Sequence, residues 1–86
     1  MPEIRKVSLE IHRESDHFWA EVREMPGCFA TGTTMSELFA ALEEAMGFWL
    51  STEERAATVR LNADSVPVPE PKRERTIPAR AELVPC

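Results

Sequence analysis

From Ile4 to Arg13 apolar and polar residues alternate: Val7, Leu9 and Ile11 share one face, while Lys6, Ser8, Glu10 and His12 share the other. Period two with a single apolar face predicts a half-buried strand. Glu14-Ser15-Asp16-His17 reads as a polar turn. Beyond it Phe18, Ala20 and Val22 alternate with Trp19, Glu21 and Arg23, up to Glu24. Two alternating runs joined by a short polar loop predict an antiparallel hairpin. Met25-Pro26-Gly27-Cys28 has the composition of a type II turn, with Pro26 presetting φ and Gly27 supplying the positive φ of the third position. Cys28 to Thr31 is then a short third strand, ended by Gly32.

The period changes at Thr34. Thr34 followed three residues later by Glu37 is a capping box, which predicts a helix start. Met35, Leu38, Phe39, Leu42, Ala45, Met46 and Trp49 recur at helical spacing and form one apolar stripe. The helix is therefore expected over about Met35 to Leu50, with Phe48 and Leu50 widening its apolar surface. Thr52 to Ala57 could extend it, and Thr58 to Leu61 has some strand character. Val66-Pro67-Val68-Pro69-Glu70-Pro71 excludes helix or central strand and reads as an extended connector. A last strand is expected around Ala81 to Val84, its prolines marking a sheet edge or the strand's ends, and the edge is the reading carried forward. The expected fold is α+β, a small antiparallel β-β-β-α-β sheet with one amphipathic helix on one face. Its division is a core over residues 1–65, then a proline-rich connector and C-terminal edge strand over 66–86.

Charge adds a direction. The chain of 86 residues carries a net charge of −5, and its acids are concentrated. Between residues 14 and 54 stand Glu14, Asp16, Glu21, Glu24, Glu37, Glu43, Glu44, Glu53 and Glu54, against Arg23 as the one Lys or Arg. Such a surface repels nucleic-acid backbones and attracts basic partners. No apolar run approaches the ~20 residues that span a bilayer, and the first residues lack the apolar stretch of a signal peptide, so the expected compartment is the cytoplasm.

Candidate chemistry is sparse. His12 and His17 flank the first turn with Asp16 between them, which could be a metal pair or an acid/base site, but no third residue has ligand spacing. Cys28 follows the Pro-Gly turn with no histidine beside it in sequence, and a buried small hydrophobe is the expected role. Glu43 and Glu44 are adjacent and so splay apart on a helix. Nothing forms a phosphate loop or a Cys-x-x-Cys pair. The expectation is a non-enzymatic chain without catalytic residues, metal or cofactor. Trp19 stands out instead. One helix covers one face of a small sheet, which leaves Trp19 on the other as an interface anchor, either for a partner or for a second copy in a homodimer or larger assembly. Glu21 and Glu24 beside it are the expected charged rim.

The run Phe18-Trp19-Ala20-Glu21-Val22-Arg23-Glu24-Met25-Pro26-Gly27-Cys28-Phe29 through Gly32-Thr33-Thr34-Met35-Ser36-Glu37-Leu38 resembles the HicB-like antitoxin family. An aromatic-tryptophan strand leads to a Pro-Gly-Cys-Phe turn, then a Gly-polar-Thr helix start, with the aromatic-Leu pair Trp49-Leu50 near the helix end. Val66-Pro67-Val68-Pro69-Glu70-Pro71 is similar to the proline segment that such proteins carry after the helix. The resemblance covers about residues 4–71. It implies a partial RNase H-like domain without the catalytic carboxylates. It also implies a role in toxin–antitoxin systems, binding and occluding a small basic HicA-like toxin that cleaves mRNA. The alternative is an orphan HicB-like homo-oligomer with a structural or ligand-sensing role. Many such proteins add a DNA-binding module. Here the residues after Pro71 are too few and too proline-interrupted for one, so specific DNA binding is not expected.

Overall fold

Both alternating runs become strands of one sheet in the computed structural model, which describes residues 3–63 and 74–85. β1 (Glu3–Arg13) and β2 (Phe18–Val22) form the hairpin, with Leu9 opposite Val22 and His12 opposite Trp19. β3 (Phe29–Gly32) adds to β2, placing Trp19 opposite Thr31 and Glu21 opposite Phe29. The helix α1 (Met35–Glu53) follows, then β4 (Ala57–Asn62) and β5 (Glu74–Pro85). The sheet has five antiparallel strands in the order β3-β2-β1-β5-β4.

The α+β class, the antiparallel sheet and the single covering helix are as expected. The strands after the helix are not: two follow it, β4 and β5, where the β-β-β-α-β order has one, and the last strand lies elsewhere than expected. β5 was expected at an edge and instead lies inside the sheet, paired with β1 from Glu3↔Leu83 to His12↔Glu74 and with β4 from Ala57↔Pro85 to Asn62↔Arg80. The strand completes the same core as the residues before it, and the edge belongs to β4. Local geometry reconciles Pro78 with this place. Ser8, opposite Pro78, turns its main chain toward β2: its carbonyl accepts from Arg23 N–H at 3.0 Å and its N–H donates to Glu24. The Ser8–Pro78 pair therefore lies between ladder bonds, and the nitrogen of Pro78 faces away from β1. On that side the β4 ladder has already stopped at Arg80. Among the described residues the proline removes a donor that no paired strand needed. The connector at Val66 to Pro71 lies outside the described residues.

Core and helix face match. Val7, Leu9, Ile11, Phe18, Ala20 and Val22 are buried beneath Leu38, Leu42, Met46 and Leu50, and β4 and β5 add Val59, Leu61, Ile77, Ala79, Ala81 and Leu83. Phe39, Ala45 and Trp49 are only partly buried at the stripe's margin. Cα atoms of α1 come within 8 Å of those of β2, β3 and β4 but not of β1 or β5. The sheet thus curls, with both edges drawn toward the helix. At β3 the approach needs Gly32, since a Cβ there would lie 2.5 Å from the main-chain nitrogen of Leu38.

Both helix ends carry side-chain bonds to the main chain. Thr34 is extended, and its hydroxyl accepts from Glu37 N–H at 3.1 Å, one half of the expected capping box. Glu37 does not reach back to Thr34 in the reciprocal bond. Its carboxylate takes the Thr33 hydroxyl instead. At the other end Glu54 N–H closes on the Leu50 carbonyl at 2.8 Å, and Ser51 and Thr52 hydroxyls donate back to the carbonyls of Phe48 and Trp49. Glu54 then meets Arg5 of β1 through two hydrogen bonds of 2.9 and 3.1 Å. Bonding to Arg5 holds the Glu54 carboxyl below its ordinary range. A carboxyl lowered by folding stabilises above its unfolded value, about 4.3, and that contribution disappears as pH falls through the folded value. Glu54→Gln should therefore lower stability near neutral pH only slightly, because the pair is exposed. It should also reduce the loss of stability on acidification, as read from urea midpoints at several pH values below about 5.

Candidate protein-binding surfaces

Alternation places Ile4, Lys6, Ser8, Glu10 and His12 of β1 on the face away from the helix. The registers add Trp19 and Glu21, Phe29 and Thr31, Thr76, Pro78, Arg80 and Glu82. At one end of this face the Trp19 indole stacks on the His12 ring, with centroids 3.9 Å apart and planes 6° from parallel. The stack follows from register, because His12 and Trp19 are direct partners across the hairpin. Glu14 accepts the indole N–H at 3.4 Å, and Glu74 lies 3.3 Å from Nδ1 of His12. Trp19 is thus partly covered, by a ring from the neighbouring strand.

His17 turns to Asp16, at 2.7 Å between Nδ1 and Oδ1, and this hydrogen bond lowers the Asp16 carboxyl. The two histidines of the first turn therefore use different partners. Among the described residues no group of three or more His, Cys, Asp or Glu side chains is placed to hold a metal ion.

The two rim residues differ in kind. Glu21 is on the Trp19 face, half-buried. Glu24 lies past the end of β2, and its carboxylate accepts Ser8 N–H at 2.7 Å, where a further β2 carbonyl would otherwise serve β1. Its side chain extends the ladder as well as carrying charge. Glu24→Lys should accordingly lower stability by roughly 1 kcal/mol, the worth of a hydrogen bond to a charged group in a partly open site, while Glu24→Gln keeps an acceptor and loses less. Urea titration of the two variants side by side separates the outcomes; equal loss for both would remove the Ser8 bond from the account.

Pro26 and Gly27 make the expected turn: Met25 C=O accepts from Cys28 N–H at 2.9 Å, and Gly27 has φ of 85°. The turn is held from above, since Trp49 Nε1 donates to the Pro26 carbonyl at 3.1 Å. Cys28 is buried as expected, and burial, with Glu21 nearby, pushes its thiol up. Next to this turn the structure shows what the sequence pattern had not singled out. Gly27, Cys28, Phe29, Ala45, Phe48 and Trp49 line an open groove of about 420 Å³ between β3 and α1. Phe29 is 61% exposed and Phe48 73%. Phe48 already lay off the helix stripe, which was the one available signal; Phe29 gave none, because a four-residue edge strand shows too little alternation to assign a side.

Charge separates the two surfaces. The Trp19 face mixes Glu10, Glu21, Glu74 and Glu82 with Lys6, Arg60 and Arg80, and Arg23 pairs with Glu10 at 3.0 Å. From residue 24 to 54, the segment that carries the turn, β3 and α1, there are six glutamates and neither Lys nor Arg. No described helix is long and apolar enough to cross a membrane. Compared with family models, curated proteins and solved structures, the chain matches none.

Proposed function

We propose that this chain is a non-enzymatic protein-binding domain of the HicB-like kind, which neutralises a small basic HicA-like ribonuclease by covering it. The observation that carries this reading is the exposed apolar groove, whose one charged lining residue is Glu44, within a segment, residues 24–54, that holds glutamates and neither Lys nor Arg. Acidic side chains draw a basic protein in, and the groove supplies apolar area to hold it. The Pro26-Gly27 turn and the Thr34 cap, which are part of the family resemblance, border that groove and start the helix that forms its wall. Trp19, on the sheet face away from the helix with Ile4 (56% exposed) and outside the groove, serves self-association into a homodimer.

Co-expression with the products of neighbouring genes tests the reading. A basic ribonuclease should co-purify, and its activity should fall on binding. Association should slow as salt rises, because exposed complementary charges steer encounter. Recovery of no basic partner, from a locus without a small basic reading frame, would overturn it in favour of the orphan homo-oligomer. Trp19→Ala should lower the mass seen by light scattering while capture of the partner persists, since Trp19 does not line the groove.

A further inference from the structure

The two edges of the sheet are treated differently. In the hairpin, Val22 N–H bonds to the Cys28 carbonyl, so Cys28, Ala30 and Gly32 turn their main chains inward to β2. Alternation then turns the N–H and C=O groups of Phe29 and Thr31 outward. No described residue meets them. On β4, at the other edge, the Glu43 carboxylate reaches across from α1 and takes Leu61 N–H at 2.8 Å. A charged side chain laid on an edge is a device against strand pairing. The fold blocks β4 in this way and leaves β3 open.

The open edge borders the groove of Phe29, Phe48 and Trp49, whose one charged lining residue is Glu44. We infer that the outer edge of β3 is a strand-addition site: an extended, lysine- or arginine-rich segment of a partner protein pairs with the main chain of Phe29 and Thr31. Main-chain bonds supply register, and alternate side chains reach the groove on one side and the glutamates on the other. A second copy of this chain fits the edge less well, since it would bring Glu44 of one copy toward Glu44 of the other. The inference rests on the reading that the chain binds a basic protein, and it names where and how.

The test uses the full chain and a short synthetic peptide alternating lysine with valine, with an alternating glutamate–valine peptide as control. Adding the basic peptide should shift the amide resonances of Phe29 and Thr31 and slow their hydrogen exchange, and high salt should weaken the effect. Thr31→Pro removes an outward donor and no β2 bond, a place where edge proline is tolerated. It should weaken peptide binding by about tenfold or more while the remaining amide spectrum keeps its dispersion. Phe48→Ser, at an exposed helix position, should weaken binding without affecting the sheet.

Equal response to the acidic peptide, or changes centred on Trp19, would overturn the inference. So would amides at Phe29 and Thr31 that are protected before any peptide is added and released on dilution, which would assign the edge to a second copy. Failure here with a basic partner still captured by co-expression would leave the proposed function standing on another face. Success here with no partner recovered would leave the edge site without the antitoxin role.

Discussion

Leu42→Ala should remove about 2–5 kcal/mol of stability, a large part of the 5–15 kcal/mol typical of a folded domain. Leu42 is fully buried in the middle of the helix stripe, with Leu38 one turn before it and Met46 one turn after. Truncation leaves a cavity that a curled sheet held by strands on both sides of the helix is poorly placed to fill. The sequence pattern ranks Phe39 beside Leu42, but Phe39 is only partly buried at the margin of the core. Phe39→Ala should therefore cost distinctly less. Urea midpoints of the two variants measure the difference. A midpoint for Leu42→Ala equal to that of the parent would remove α1 from the core.

The second large effect concerns a residue with no side chain. Gly32→Ala would place a Cβ 2.5 Å from Leu38 N and 2.9 Å from Glu37 C, both main-chain atoms of the first helical turn. A flexible neighbour could swing aside; a helix backbone moves only with the whole element. The substitution should cost at least the 1–3 kcal/mol typical of an overpacked site. It should also push the start of α1 away from β3, altering Thr34 and Glu37 as well as the mutated position. Amide shifts across residues 32–38, together with the urea midpoint, report both. A shift confined to residue 32 with stability unchanged would refute the close approach.

How far the pattern carried can be judged from these elements. The β1–β2 hairpin, the Met25–Cys28 turn and the start of α1 were legible because each rests on local rules: alternation, a Pro-Gly pair, a threonine cap. β5 was misplaced because the rule against proline in a central strand assumes that both neighbours extend past it. Whether β4 reaches Pro78 is a matter of tertiary register, which no local signal contains. β4 was half legible, since Thr58, Arg60 and Asn62 alternate with Val59 and Leu61 over too short a span to decide between strand and frayed helix. Of the candidate interface, Trp19 was placed on the correct face, but its His12 partner emerges only from cross-strand pairing. Glu24 looked like a surface charge and proved to close the ladder at Ser8. The groove beside Phe29 and Phe48 joins two elements whose apposition depends on Gly32, and so lay beyond any periodicity.

The long pairing of β1 with β5 has a consequence in time. Glu3 lies opposite Leu83 and His12 opposite Glu74, so the first strand finds one of its two neighbours in the last. Ile77, Ala79, Ala81 and Leu83 join the core of β1 and β2 only through that distant closure, which costs chain entropy before any contact repays it. The hairpin and helix form from near neighbours, but the contact order of the whole is high for so short a chain. Its refolding should accordingly be slow for its size, in milliseconds or longer where a helical bundle of equal length takes microseconds. During synthesis the inner edge of β1 waits unpaired until β5 has left the ribosome, and for that interval it is the strand most exposed to mispairing.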